Sequence, residues 1–214
     1  MLELGVKTLL AYLLGSVIGS LVVGRLRGGV DIRALGSGNA GGTNALRTQG
    51  FAFALWVVVI DVGKGLLASG WLPRLVLPGI EPSAEVDRDW LTMACGAAVV
   101  VGHVYPLWYG FRGGKGAATL IGVFLGIDAM LLVPALAVWL VTVSLTGYVG
   151  LGTMLAAAAV PVYLLTLAQA PNEPEIVFGL AMAVFVAFTH RSNIARMRSG
   201  TENRARRLWL LRPR

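Results

Sequence analysis

The sequence predicts an all-α polytopic membrane protein with seven transmembrane helices, some of them short or broken, the N-terminus outside and the C-terminus cytoplasmic. Three observations carry that prediction. The 214 residues are 56% apolar and only 14% charged, with a mean hydropathy of +0.73, whereas a soluble domain carries about 25% charge. The apolar residues fall into runs long enough to cross a bilayer, and the cations are segregated into alternate connections. This composition excludes a water-facing globule and a disordered tail. A single cysteine, Cys95, sits inside an apolar run, which excludes a disulfide scaffold and a Cys-based metal cluster. The length suits one domain, residues 1–214.

A crossing takes about 20 mostly apolar residues, and Thr8–Val23 is the first candidate. It lacks a signal-peptide cleavage pattern. Its small residues Gly15, Ser16, Gly19 and Ser20 recur at four-residue spacing, which suits close helix packing. Phe51–Trp71 and Trp90–Trp108 are the second and third candidates. Ala117–Thr146 is interrupted only by Asp128. As one helix it would run about 45 Å, too long for one crossing and short for two. A Gly-rich break at Gly147–Gly152 separates it from Thr153–Gln169 and Ile176–Thr189.

Charge decides the ambiguous stretch. Fourteen of the eighteen Lys and Arg residues lie in 24–50, 109–116 and 191–214, where Asp31 and Glu202 are the only acids. The opposite connections are acidic, with Glu3, Glu81, Glu85, Asp87, Asp89, Glu173 and Glu175. The positive-inside bias puts the cationic segments in the cytoplasm. All three share that side only if Ala117–Thr146 crosses twice, turning near Asp128. The tail from Arg204 to Arg214 interleaves arginines with Leu208, Trp209, Leu210 and Leu211. It is expected on the anionic inner leaflet, not on nucleic acid.

The cytoplasmic connections are too rich in glycine and amide side chains to be simple tethers. In Gly36–Arg47, four glycines including Gly38 and Gly41 accompany Ser37, Asn39, Thr43 and Asn44. Such a backbone can turn its N–H groups toward an anion, and Arg47 adds a planar fork matched to phosphate or carboxylate. The plain alternative is a flexible loop. In Gly102–Gly116, Arg112, Gly113, Gly114 and Gly116 surround Lys115. Tyr109 and Gly116 stand where a Walker A loop needs Gly and Ser/Thr, so nucleotide hydrolysis is not expected. His103, three residues before Pro106, is either a structural hydrogen-bonder or a catalyst. The third segment, His190–Glu202, places His190 and Asn193 on one helical face. Arg196 and Arg198 follow, with Glu202 available to orient an arginine or a histidine; a basic helix end is the alternative. Together the segments describe a Gly-lined cationic pocket for one or two phosphates at the lipid boundary. Asp61 and Lys64, three residues apart within the second crossing, form either an ion path or a packing pin.

Ser37-Gly-Asn-Ala-Gly-Gly-Thr-Asn-Ala-Leu-Arg47, Gly102-His-Val-Tyr-Pro106 with Phe111-Arg-Gly-Gly-Lys-Gly-Ala-Ala-Thr119, and His190-Arg-Ser-Asn-Ile-Ala-Arg196 with Gly200-Thr-Glu202 resemble, in order, the motifs of the PlsY family of bacterial acyl-phosphate:glycerol-3-phosphate acyltransferases. Asp61-Val-Gly-Lys-Gly65 also fits that family's second span. The sequence departs at Ala40, where the family carries Pro, and at Gly42 and Arg112. It also departs at Gly150 and Gly152, where the family tends to serine, leaving Thr153 as the nearest hydroxyl.

The resemblance implies transfer of a fatty acyl group from acyl phosphate to the 1-hydroxyl of sn-glycerol 3-phosphate, in the bacterial inner membrane with the site facing the cytoplasm. The expected catalytic residues are Lys115, His190 and Asn193. The expected phosphate-binding residues are Ser37, Gly38, Asn39, Gly41, Thr43, Asn44, Arg47, Gly113, Gly114, Gly116, Arg196 and Glu202. Asp61, Lys64, His103, Arg112 and Thr153 are supporting candidates. The partners are acyl phosphate, glycerol 3-phosphate and membrane lipid, with no metal, cofactor, nucleic acid or obligate protein partner expected. The rival readings are a transporter for a phosphorylated solute and a lipid-binding scaffold.

Overall fold

The computed structural model describes residues 1–170, 172–206 and 208–211. They form ten α-helices and no strand, in two compact units, Met1–Asp128 and Ala129–Arg214. Arg207, Arg212 and Arg214 of the tail lie outside the described residues.

The first unit holds α1 (Leu2–Gly15), α2 (Gly19–Leu26), α3 (Gly42–Gln49), α4 (Phe51–Leu66), α5 (Arg88–Val104) and α6 (Ala117–Ile127). The expected first crossing is broken: α1 and α2 meet at 46° across Ser16–Ile18. Phe51–Trp71 is one run, α4 continued by a π-turn over Leu67–Trp71. Asp128 takes an extended conformation and ends α6, so Ala117–Thr146 is not one continuous helix. Glu3 and Lys7 are buried, not solvated as an outer connection would be. Glu3 accepts from Lys7 Nζ at 2.8 Å, from both terminal nitrogens of Arg88 at 2.7 and 2.8 Å, and from the Ser83 N–H. This knot ties the starts of α1 and α5 together.

Glycines set the helix crossings. A Cβ on Gly15 would collide with the Val99 carbonyl, and one on Gly102 with the Tyr12 carbonyl, so α1 and α5 touch backbone to backbone. Because Glu3 meets Arg88 at one end and Gly15 meets Val99 at the other, the two helices run parallel. Likewise a Cβ on Gly65 would collide with the Thr119 carbonyl and one on Gly122 with the Val62 carbonyl, which packs α4 on α6. Small residues permit this approach where lipid supplies no hydrophobic drive between helices.

The second unit holds α7 (Leu132–Thr146), α8 (Val149–Thr166), α9 (Glu173–Thr189) and α10 (Arg191–Arg198). The predicted Gly147–Gly152 break shrinks to Gly147 and Tyr148, because Gly150 and Gly152 lie inside α8. They pack against Asn193 and against Val143 and Trp139, respectively. The described tail residues pack on the turn between α7 and α8. Arg204 stacks on Tyr148 and Trp209, Trp209 donates to the Leu145 carbonyl, and the Ala205 N–H donates to the Gly147 carbonyl.

Four segments are long and apolar enough to cross a membrane: Phe51–Arg74, Arg88–Tyr109, Ala129–Thr146 and Val149–Thr166. The bent pairs α1–α2 and α9–α10 qualify if each counts as one crossing. The apolar α6, at 11 residues, reaches only about 16 Å. Large apolar side chains such as Trp56, Leu140, Leu165 and Val184 are exposed along these helices, an arrangement that suits lipid and not water. Gly65→Ala should therefore lower the unfolding temperature of the detergent-solubilised protein, at a cost of about 1–3 kcal/mol. Gly63→Ala, whose Cβ meets nothing within 4 Å, should be neutral or slightly stabilising; equal effects would contradict the packing.

Candidate functional site

The first Gly-rich segment is shaped by one side chain. Asn44, 1% exposed, donates from Nδ2 to the carbonyls of Ile32, Leu35 and Asn39 at 2.9–3.0 Å. Its Oδ1 accepts from the Ser37 N–H at 2.9 Å. Asn44 therefore folds the loop and does not face a ligand. Gly36 and Gly38 take positive φ, and a Cβ on Gly36 would strike Asn44. Around this hub Ser37, Gly38, Thr43 and Arg47 are exposed, with Asn39 and Gly41 half-buried. The segment feeds α3, whose N-cap is Gly41 and whose first turn receives no side-chain cap. Its first turn lies at the positive end of a helix dipole, which suits an anion.

The second segment repeats the device. Gly116 (φ +89°) is the N-cap of α6, again without a side-chain cap, and half-buried Lys115 precedes it. Gly113 and Gly114 donate to the carbonyls of Val104 and His103, each at 3.1 Å. Neither glycine has room for a Cβ: on Gly113 it would strike the His103 carbonyl, and on Gly114 the His103 ring at Nε2. Phe111 takes φ +57°, the one non-glycine residue with positive φ among those described.

The two segments are joined by Arg33, which in the sequence is one cation among the four of 24–50. Its guanidinium donates to the Arg112 carbonyl at 2.9 Å and to the Tyr109 carbonyl at 3.3 Å, and it grips Asp31 through Nε and a terminal nitrogen. Arg33 beside Asp31 holds that carboxyl below the usual carboxylate range. The pairing therefore strengthens the tether at neutral and mildly acidic pH and is lost as pH falls through the lowered value. The Asp31-x-Arg33 spacing was the available signal. Arg112 contributes its carbonyl here, and its side chain is exposed.

Beneath both segments lies the break between α1 and α2. Lys64 Nζ donates to the carbonyls of Gly15 at 2.8 Å and Val17 at 2.7 Å, while Asp61 Oδ1 accepts from the Gly19 N–H at 3.1 Å. Asp61 and Lys64 are 3.0 Å apart and at most 3% exposed. The cation thus caps the carbonyl end of one helix and the carboxylate the N–H end of the next, each matching the local dipole. His103 Nδ1 lies 2.9 Å from Lys64 Nζ and 3.4 Å from Asp61 Oδ1. Removing one member of such a buried pair costs about 3–5 kcal/mol.

In the second unit, Glu202 joins two expected residues: Asn193 Nδ2 donates to its Oε1 at 2.8 Å and Arg196 Nε to its Oε2 at 2.6 Å. His190 closes α9, with Nδ1 2.8 Å from the Val186 carbonyl. A nitrogen facing a carbonyl must donate, so the proton sits on Nδ1 and Nε2 is the basic nitrogen. Gly150 leaves room for the Asn193 amide, since a Cβ there would fall 2.8 Å from its Nδ2. The Thr153 hydroxyl is used within α8, donating to the Val149 carbonyl. Among the described residues no group of three His, Cys, Asp or Glu side chains is placed to hold a metal.

The family model for glycerol-3-phosphate acyltransferase matches residues 6–200. The chain belongs to that family. A glycerol-3-phosphate acyltransferase of Geobacter sulfurreducens is 41% identical, over 93% of this chain and 96% of that one. One of Chlorobaculum parvum is 36% identical, over 91% and 93%. The crystal structure of PlsY (YgiH), an integral membrane glycerol 3-phosphate acyltransferase, in its glycerol 3-phosphate form matches with a TM-score of 0.79 at 29% identity, covering 94% of each chain. Its lysophosphatidic acid form matches with a TM-score of 0.78. With its long apolar helices, the chain is a multi-pass membrane protein of the acyltransferase family.

Asn44→Ala would leave the Asn39 carbonyl and the Ser37 N–H without this partner, while the Ile32 and Leu35 carbonyls keep the Leu35 and Gly38 N–H groups; each unmet group costs about 1–3 kcal/mol. Amide exchange at Ser37 should rise about tenfold or more; an unchanged rate would show that the loop holds its shape without that side chain.

Proposed function

We propose that the protein transfers a fatty acyl group from acyl phosphate to the 1-hydroxyl of sn-glycerol 3-phosphate, giving lysophosphatidate and inorganic phosphate. The observation that carries this reading is the pair of glycine-capped helix starts, α3 and α6, whose loops are joined through Arg33, with Lys115 at the second. Helix N-termini of this kind favour phosphate, and both substrates bear one. The glycerol 3-phosphate and lysophosphatidic acid forms of PlsY are consistent with such ligands here.

The substrate hydroxyl oxygen attacks the acyl carbon, the carbon–oxygen bond to phosphate breaks, and the hydroxyl proton leaves. Acyl phosphate is already activated, so no acyl-enzyme is needed, and positioning with charge stabilisation supplies the rate. In the first unit the Ser37–Asn44 loop and Gly113–Gly116 hold the acyl-phosphate headgroup, with Lys115 neutralising it. Arg47 and Lys115 engage glycerol 3-phosphate. In the second unit, Arg196 and Glu202 orient Asn193, which donates to the carbonyl oxygen as negative charge builds there. His190 Nε2 and the departing phosphate are the two acceptors for the proton. The His-x4-Asp pattern of acyl-CoA enzymes is absent, since Trp108 and Ala195 stand five places after the two histidines. The chain works as one acyltransferase domain with seven crossings, counting the short α6, and its cationic segments on the cytoplasmic side of the inner membrane.

Purified protein should release phosphate from acyl phosphate only when glycerol 3-phosphate is present, leaving lysophosphatidate, and acyl-CoA should not replace the donor. Lys115→Ala and Asn193→Ala should each lower kcat by about 10²–10³. No turnover with either donor, in protein that still binds glycerol 3-phosphate, would favour a transporter for a phosphorylated solute.

A further inference from the structure

Asp61, Lys64 and His103 are buried and touch neither Gly-rich segment's exposed surface, yet both segments rest on what they hold. Lys64 and Asp61 satisfy the groups freed between α1 and α2. The residues of that break then reach outward. Ser16 Oγ accepts from the Leu107 N–H at 3.2 Å in the second segment, and Ser20 Oγ donates to the Ala40 carbonyl at 2.7 Å in the first. Ile18, fully buried, packs with Ala40 and Tyr109, one from each segment.

His103 adds a second route. Its ring carries Nδ1 toward Lys64 and Asp61, and its opposite edge lies directly under the Cα of Gly114. Its carbonyl takes the Gly114 N–H. A shift of the ring is thereby a shift of the backbone that precedes Lys115 and the start of α6. Inside a membrane protein, unmet backbone groups have no water to turn to, so the break keeps its shape only while these side chains hold it.

We propose that the Asp61–Lys64–His103 cluster is a positioning unit that fixes both anion-binding segments on the α1–α2 break, with His103 as the direct link to Lys115. The effect on turnover rests on the acyl-phosphate reading above; the effect on the backbone does not. Lys64 Nζ sits among the Gly15 and Val17 carbonyls, the Asp61 carboxylate and His103 Nδ1, so its three hydrogens are committed within the cluster and the break.

The test compares His103→Ala and His103→Gln with the unaltered full-length protein in detergent. Amide hydrogen exchange is followed across residues 105–117 and across 72–92, and KM and kcat are measured per mole of folded enzyme. In His103→Ala, exchange at Gly113–Ala117 should rise about tenfold while 72–92 is unchanged, and KM for the phosphate substrates should rise more than kcat falls. His103→Gln, which fills the space under Gly114 and offers Lys64 an acceptor, should recover most of both. Unchanged exchange at Gly113–Ala117 in His103→Ala overturns the proposal. So does a rise spread evenly over the chain with KM unaltered, which would mark a purely structural role. If the unaltered protein does not consume acyl phosphate, the functional reading fails and the exchange comparison still decides this one.

Discussion

The structure depends on a helix that stops and restarts inside the membrane-spanning region. Breaking a helix there exposes carbonyls at one end and N–H groups at the other, and lipid satisfies neither. Here the Gly15 and Val17 carbonyls are taken by Lys64 and the Gly19 N–H by Asp61. Two opposite charges are the economical solution because the two exposed helix ends carry opposite partial charges. The pair also neutralises itself, which makes its depth tolerable.

From that break the order of the first unit follows. A bent α1–α2 presents Ser16 and Ser20 to the two Gly-rich segments instead of continuing as a straight crossing. Gly15 and Gly102 let α1 and α5 approach closely enough for His103 to reach the charge pair, and Gly65 and Gly122 bring α6 against α4. The outcome is a pair of helix starts with open N–H groups, tied by Arg33, in a protein whose family acts on a phosphorylated substrate. Close backbone contacts and buried polar groups join the apolar clusters around Val57 and Ile18 in holding this region.

Much of this was legible in the sequence. Hydropathy located the helices over 51–71, 90–108 and 176–189 to within a few residues, and the lone charge of Asp128 marks where the long apolar stretch breaks into two helices. The Gly-rich motifs identified the family. What could not be read was who meets whom. Thr8–Val23 reads as one crossing with small residues at helix-packing spacing, because the groups that satisfy the break at Ser16–Ile18, Lys64 and Asp61, come from another helix. Glu3 reads as solvated until Arg88, 85 residues away in sequence, closes on it. Asn44 has the composition of a ligand-binding residue, and only its four backbone partners reveal that it shapes the loop. Gly150 reads as part of a break, whereas in space it makes room for Asn193.

The most direct measurement exchanges the buried charges, comparing turnover of the double variant Asp61→Lys/Lys64→Asp with that of each single variant and of the unaltered protein. The break is polar in a fixed sense: a cation must meet the Gly15 and Val17 carbonyls and an acceptor must meet the Gly19 N–H. The exchanged pair preserves charge neutrality and reverses that sense, so it should be as impaired as the single variants. Recovery of turnover to near the unaltered level would contradict the account, because it would mean that Asp61 and Lys64 serve only to neutralise one another.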